Sequence, residues 1–207
     1  MRNIAVFDFD GTLYEGDTTI DFAFFIYKKL PIRFPIFFIQ LLALPLYLLK
    51  IINTKQYKNI YILYLKNINP EKLNVLIKEF WNTKYPKHFK HEIIKHYLLN
   101  KQNGITNICI SASPDILIKP LLIDTLKFDY VIATTVIYNK NKYIIKGENC
   151  RGAEKINRLN NLFENEPYYI ENAFSDNKDD KKLLKIALKG YFIHNNQITN
   201  ISDEQKY

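Results

Sequence analysis

Hydrophobic positions along this chain fall into two regimes. Short runs of β-branched, aromatic and other apolar residues stand at Asn3 to Phe7, Ile105 to Ile110, Tyr130 to Val136, Tyr168 to Ile170 and Tyr191 to Ile193. Each has the length and composition of a buried strand. Stretches of helical character separate several of them, at Pro114 to Leu126, Gly152 to Phe163 and Lys178 to Leu188. Strands alternating with helices of this length predict parallel βαβ units. Tyr138 to Ile145, with the turn Asn139-Lys140-Asn141-Lys142, predicts a hairpin.

Between about Tyr14 and Asn100 the pattern changes to that of several helices, with no clear alternation of period two. Its most apolar part, Phe34 to Ile52 (FPIFFIQLLALPLYLLKII), reaches the length of a membrane span. Pro35, Gln40, Pro45 and Lys50 interrupt it, and Pro45 is expected to kink or break a helix. A helical core segment or a membrane-facing patch therefore fits better than a true span. No internal repeat or low-complexity linker stands out. The expected fold is α/β, a Rossmann-like parallel sheet whose first strand is followed by a helical insertion. Residues 1–14 and 100–207 would form the core and 15–99 a helical cap. In open sheets of this class, sites form at the carboxyl ends of the strands.

Composition adds bounds. With 47% hydrophobic and 24% charged residues among 207, extensive disorder is not expected. Two cysteines, Cys109 and Cys150, form no disulfide framework and no CxxC pair, which suits a reduced, cytoplasmic setting. An acidic cluster beginning at Asp8 interrupts the place where the apolar part of a signal peptide would run. The net charge of +8 is uneven: Glu15 to Lys95 holds 13 Lys+Arg against 6 Asp+Glu. That segment could steer an anionic substrate, touch anionic lipid, or present a lysine-rich solvated face. Its basic residues are scattered and match no nucleic-acid motif, so no nucleic-acid partner is expected.

Candidate chemistry lies just past the strands. Asp8-Phe9-Asp10-Gly11-Thr12-Leu13 follows the first one; carboxylates two residues apart project to one side, where they can hold a cation while one attacks phosphorus. Ser111-Ala112-Ser113 follows the second, a hydroxyl with neighbouring amides suited to a phosphate oxygen. Lys155 stands early in a helical stretch, and Ser175-Asp176-Asn177-Lys178-Asp179-Asp180 supplies hard oxygen ligands after the fourth strand. Singly, each has a plain structural explanation: a turn for Asp-Gly, a solvated lysine, a helix cap for the acidic cluster.

Taken in this order, VFDFDGTL, ISAS, the lysine of CRGAEKINRL and FSDNKDD resemble the four motifs of the haloacid dehalogenase superfamily, within it the phosphoserine phosphatase-like hydrolases. The resemblance covers about residues 3–14 and 104–190. It implies an α/β core with a small helical C1-type cap and a Mg²⁺-dependent phosphatase. Asp8 would be the nucleophile of an aspartyl-phosphate intermediate and Asp10 the general acid and base. Asp8, the Asp10 carbonyl and Asp176 would bind Mg²⁺. Ser111, Ala112, Lys155 and the Gly11 amide would hold the phosphoryl group, and Asp180 would orient Lys155 or a metal-bound water. SDNKDD departs from the family's glycine-rich GDGxND, which leaves open whether Asp179 or Asp180 supports the metal.

The substrate is expected to be a small phosphorylated metabolite. Asp17 stands where phosphoserine phosphatases carry a substrate-binding Glu, which points to an amine-bearing ester resembling phosphoserine or phosphoethanolamine; Asp17 equally reads as a helix N-cap. The insertion's one arginine, Arg33, has no counterpart to the family's carboxylate-binding Arg. The alternative substrate is a lipid phosphate, with peripheral membrane contact through the apolar cap segment. A basic membrane- or nucleic-acid-binding protein is the non-enzymatic alternative.

Overall fold

The computed structural model describes residues 1–164, 166–194 and 197–201. Its main sheet has six strands: β1 (Arg2–Phe7), β2 (Thr106–Pro114), β3 (Tyr130–Thr134), β6 (Tyr168–Ser175), β7 (Lys189–His194) and β8 (Gln197–Asn200), in the order β3-β2-β1-β6-β7-β8. All neighbours are parallel except β7 and β8. β4 (Val136–Asn139) and β5 (Lys142–Ile145) form a separate antiparallel hairpin. Lys140 and Asn141 turn it with positive φ at both positions, the backbone that a two-residue hairpin turn of this hand requires.

β1 explains the layering. Ile4, Ala5, Val6 and Phe7 are all fully buried, the signature of a central parallel strand covered on both faces. Because side chains alternate, Ile4 and Val6 join Ile108, Ile110, Leu159 and Leu184 on one face. Ala5 and Phe7 meet Phe9, Tyr97, Phe128 and Phe174 on the other. The first face is covered by α7 (Ala153–Leu162) and α8 (Lys181–Ile186). The second is reached by α6 (Asp115–Lys119), which runs on through a π-helical turn to Thr125, and by α5 (His91–Gln102).

Five helices lie between β1 and β2: α1 (Thr18–Lys29), α2 (Pro35–Leu48), α3 (Thr54–Tyr61), α4 (Pro70–Lys84) and α5. α5 packs on the sheet, with the His96 ring 5.0 Å from that of Phe174 and Tyr97 stacked 4.5 Å from Phe128. The expected boundary between residues 99 and 100 therefore cuts through a core helix, and residues 202–207 of the expected core lie outside the described ones. α4 is tied to the core by Trp81, whose indole N–H donates to the Leu117 carbonyl at 2.7 Å. Pro45 does not break α2. The helix runs through it to Leu48 and forgoes the one hydrogen bond that the proline nitrogen cannot donate to the Leu41 carbonyl.

The strand order reverses between β1 and β6, because the chain runs outward from β1 to β3 and then crosses back. A crevice opens at the carboxyl ends of strands at such a point. Asp8 and Asp176 are the first residues past those two strands.

Candidate active site

Asp8 lies buried beyond β1, where its backbone N–H still donates to the Phe174 carbonyl of β6 at 2.9 Å. Its Oδ1 accepts from the Phe9 amide at 2.8 Å and faces Lys155 Nζ at 3.0 Å. Oδ2 receives only a long 3.3 Å contact from the Ser175 hydroxyl. Lys155, in the first turn of α7, is 1% exposed and also reaches Asp180 Oδ2 at 2.6 Å. Ser175 donates to the same Asp180 oxygen at 2.7 Å. Burial raises the Asp8 carboxyl to about 6, against the opposing pull of Lys155. Lys155 is held well above its ordinary value, the charges of Asp8 and Asp180 outweighing its own desolvation. One buried lysine between two carboxylates stays protonated.

Asp10 is fixed from both sides. Oδ1 accepts from the Thr18 amide at 2.8 Å and from the Thr18 hydroxyl; Oδ2 accepts from the Ser113 hydroxyl. Burial, and then the nearby charge of Asp17, raise this carboxyl to about 7 despite those hydrogen bonds. A group titrating near neutrality can both give and take a proton at working pH. Between the two aspartates and β6 stands Gly11, at φ +70°, where a Cβ would come within 2.0 Å of Asp176 Oδ2. Thr12 ties the two loops together: its hydroxyl accepts from the Asp176 amide at 3.1 Å and approaches Asp176 Oδ1 at 3.3 Å.

Asp8, Asp10, Gly11, Asp17, Ser111, Ala112, Asp176 and Asp179 line one cleft of about 660 Å³. Ser111 is buried near the carboxyl end of β2, its Oγ accepting from the Ser113 amide at 3.0 Å. Asp179 and Asp180, left open by the sequence, part company. Asp180 is fully buried and holds Lys155, whereas exposed Asp179 pairs outward with Arg151 at 2.7 Å. Asp17 does cap α1, accepting from the Ile20 amide at 2.9 Å through Oδ1, and lines the cleft as well. Arg33 lies elsewhere, donating to the carbonyls of Tyr64 and Lys66.

A second cavity of about 300 Å³ continues from Asp10, Asp17 and Ala112 toward the inserted helices, lined by Tyr47, Tyr57, Lys58, Tyr61, Asn149 and Arg151. None of these six was singled out from sequence. Lys58 donates to the Ala112 carbonyl at 2.7 Å and to Asn149 Oδ1 at 2.6 Å, and burial lowers it to about 8. Thr18, Ser113 and Ser175 were given no individual role, although Ser113 and Ser175 stand within the quoted motifs ISAS and FSDNKDD.

The oxygen-only donors around Gly11 suit a hard divalent cation. Among the described residues no three Asp, Glu, His or Cys side chains converge on one point, so such an ion would take two carboxylates, Asp8 and Asp176, plus a backbone carbonyl. Two observations fit it: the Gly11 turn lets the backbone after Asp10 approach the Asp176 carboxylate more closely than any side chain would allow, and Asp180 Oδ1 is buried without a hydrogen-bond partner.

The family model for haloacid dehalogenase-like hydrolases matches residues 5–185. No match is found among curated proteins. Among solved structures, a Bordetella pertussis Tohama I protein of unknown function superposes with a TM-score of 0.76 at 18% identity, covering 89% of this chain and 86% of its own. A phosphoserine phosphohydrolase-like protein from Francisella tularensis gives 0.58 at 22% identity, covering 93% and 86%. A phosphoserine phosphatase in its apo form gives 0.60 at 21% identity, with the same coverage. At these identities the likeness is one of fold.

Proposed function

This chain belongs to the haloacid dehalogenase-like hydrolases, and we propose that it is a Mg²⁺-dependent phosphomonoesterase working through a phosphorylated Asp8. The observation that carries this reading is the pairing of a buried, lysine-bound carboxylate with a second one, two residues on, poised near neutrality. Lys155 and the Phe9 amide fix Asp8 by Oδ1, leaving Oδ2 the less engaged oxygen. In the first step a P–O bond forms to Asp8 and the ester P–O bond breaks. Protonated Asp10 gives its proton to the departing alkoxide. In the second, the Asp10 carboxylate takes a proton from water, which attacks phosphorus, freeing Asp8 and inorganic phosphate. Lys155, Ser111 and the Ala112 and Gly11 amides would meet the phosphoryl oxygens. Bound Mg²⁺, held by Asp8, Asp176 and the Asp10 carbonyl, would neutralise charge on the transferring group.

A small, amine-bearing ester is the substrate we favour. Capping uses only Oδ1 of Asp17, so Oδ2 is left for an ammonium at the mouth of a cavity walled by Tyr47 and Tyr57, stacked 4.5 Å apart. A lipid phosphate is the second reading. It is favoured by an apolar hollow of about 120 Å³, lined by Phe24, Phe37, Leu41 and Leu44, which shares Tyr57 and Tyr61 with that cavity.

A turnover panel of amine, sugar and short-chain lipid phosphates with Mg²⁺ tests both. Activity should vanish with a chelator and return with Mg²⁺, and Asp8→Asn should lose roughly a thousandfold or more in kcat. Full activity in Asp8→Asn would refute the reading.

A further inference from the structure

We infer that the outer face of α2 lies in the surface of an anionic lipid bilayer, as an in-plane anchor for the inserted helices. Only 11% of the stretch Pro31–Leu48 is buried by the protein. The inner stripe of α2 is fastened at Gln40, which accepts from the Tyr27 hydroxyl at 2.6 Å and donates to the Tyr61 carbonyl at 2.8 Å; Ala43 packs beside it. On a water-facing helix the opposite face would be polar. Here Phe38, Leu41, Leu42, Leu46, Leu48 and Leu49 all stand exposed, Leu42 by 69% and Leu49 by 71%. No charged residue lies between Arg33 and Lys50. A contiguous apolar surface of this kind marks an interaction site.

Charge selects the occupant. Between Asp21 and Glu71, over residues 22–70, the chain contains no acidic residue, yet it carries Lys28, Lys29, Arg33, Lys50, Lys55, Lys58 and Lys66. Lys28 precedes α2, and Lys50 and Lys55 follow it. All three are exposed, and none is in an ion pair among the described residues. An apolar face bracketed by free cations complements an anionic bilayer surface. A second copy of this chain would instead bring two sets of like charges together. A crossing orientation is disfavoured by Gln40, whose bonds hold one flank of the helix against α1 and α3. Because Tyr47 of α2 lines the cavity beside Asp10, the anchor would bring that cavity to the level of the lipid headgroups.

The test is co-sedimentation of the full chain with phosphatidylcholine vesicles, with or without about one-third phosphatidylglycerol, at low and raised salt. Three free lysines predict partitioning roughly a hundredfold stronger onto the anionic vesicles, weakening with salt. Leu42→Asp or Phe38→Asp should lower it about tenfold or more. Leu188→Asp, an exposed apolar site on the sheet side, should leave it unchanged. An environment-sensitive dye on Leu42→Cys should shift to the blue on vesicles; buried Cys109 and Cys150 do not compete for the label. If an aspartate variant fails to fold, Lys50→Glu with Lys55→Glu keeps the apolar face and should still weaken anionic binding. Equal partitioning onto both vesicles, or no dye shift, overturns the inference. So does a soluble dimer that Leu42→Asp dissociates. Asp8→Asn should bind vesicles like the wild type, which separates this result from the fate of the catalytic reading.

Discussion

Replacing Gly11 by alanine separates the folding role of this loop from its chemistry. The new Cβ would stand 2.0 Å from Asp176 Oδ2 and 2.5 Å from its Cγ, whereas non-bonded contacts settle at about 3.5 Å. The carboxylate must therefore retreat by about 1.5 Å. Asp176 is exposed and its carboxylate receives only the 3.3 Å bond from the Thr12 hydroxyl, the 3.1 Å bond holding its backbone amide, so the side chain can swing away at little cost. What remains is the left-handed backbone, φ +70°, which costs a side-chain-bearing residue about 1–2 kcal/mol. For a chain of this size that is a fall in Tm of roughly 2–8 °C. On the proposed reading Mg²⁺ binding would suffer more, because a ligand displaced by more than an ångström is lost to a hard cation of fixed reach. The Mg²⁺ concentration for half-maximal activity should rise about tenfold to a hundredfold, while substrate KM at saturating Mg²⁺ changes little. The assay is a Mg²⁺ titration of turnover beside a thermal melt. A variant with the modest melt shift but wild-type Mg²⁺ dependence would refute the assignment of Asp176 as a ligand.

Two further outcomes follow from the same geometry. Asp180→Ala strips Lys155 of one buried partner and should cost about 3–5 kcal/mol, whereas Asp179→Ala breaks only an exposed pair with Arg151 and should cost less than about 1 kcal/mol; paired denaturant titrations check the contrast. Asp8 and Asp10 stand at about 6 and about 7, raised above the ordinary carboxylate chiefly by burial. The folded chain therefore holds their protons more tightly than the unfolded one, and the stability this gives is complete below about pH 4 and lost as pH rises through 6 and 7. Melts of chelator-treated protein should decline across that window, and Mg²⁺ should raise Tm more at about pH 8 than at pH 5; a flat profile with no Mg²⁺ effect would contradict it.

The sheet was legible because its strands are buried on both faces, so Ile4–Phe7 and Ile108–Ile110 announce themselves as apolar runs whatever lies around them. β6 was read three residues long and spans eight, because Glu171 and Asn172 interrupt its apolar run while the backbone pairing continues. β8 was not read at all: it is a polar edge strand, and its pairing with β7 is invisible to composition. At the site, Asp8, Ser111 and Asp176 stand together because topology fixes where strand ends go. Lys58, Tyr57 and Tyr61 were not legible, because the helix that carries them meets Ala112 and Asn149 only through tertiary packing, and nothing in a local window distinguishes Lys58 from other lysines. Pro45 does not end α2, because the tertiary bonds of Gln40 to Tyr27 and Tyr61 hold the helix in place whatever its local propensity.

The charges of the cleft argue for a division of labour between core and cap. Asp8, Asp10, Asp17 and Asp176 all face the space that a phosphate group would enter. Lys155 cannot offset them all, since it already serves both Asp8 and Asp180. An incoming phosphate dianion therefore meets net negative charge at the strand ends. Burial has already answered part of this, by pushing Asp8 and Asp10 toward their neutral forms. A divalent ion would answer the rest at phosphorus itself. Arg151, from the segment before α7, lines both this cleft and the adjoining cavity; Lys58 of the inserted helices lines the cavity, held by two acceptors at the cost of part of its affinity for a proton. On the proposed reading, attraction of an anionic substrate would be shared by Arg151 and the inserted segment, where the chain's excess positive charge is concentrated, and the strand ends would keep the carboxylates for bond-breaking.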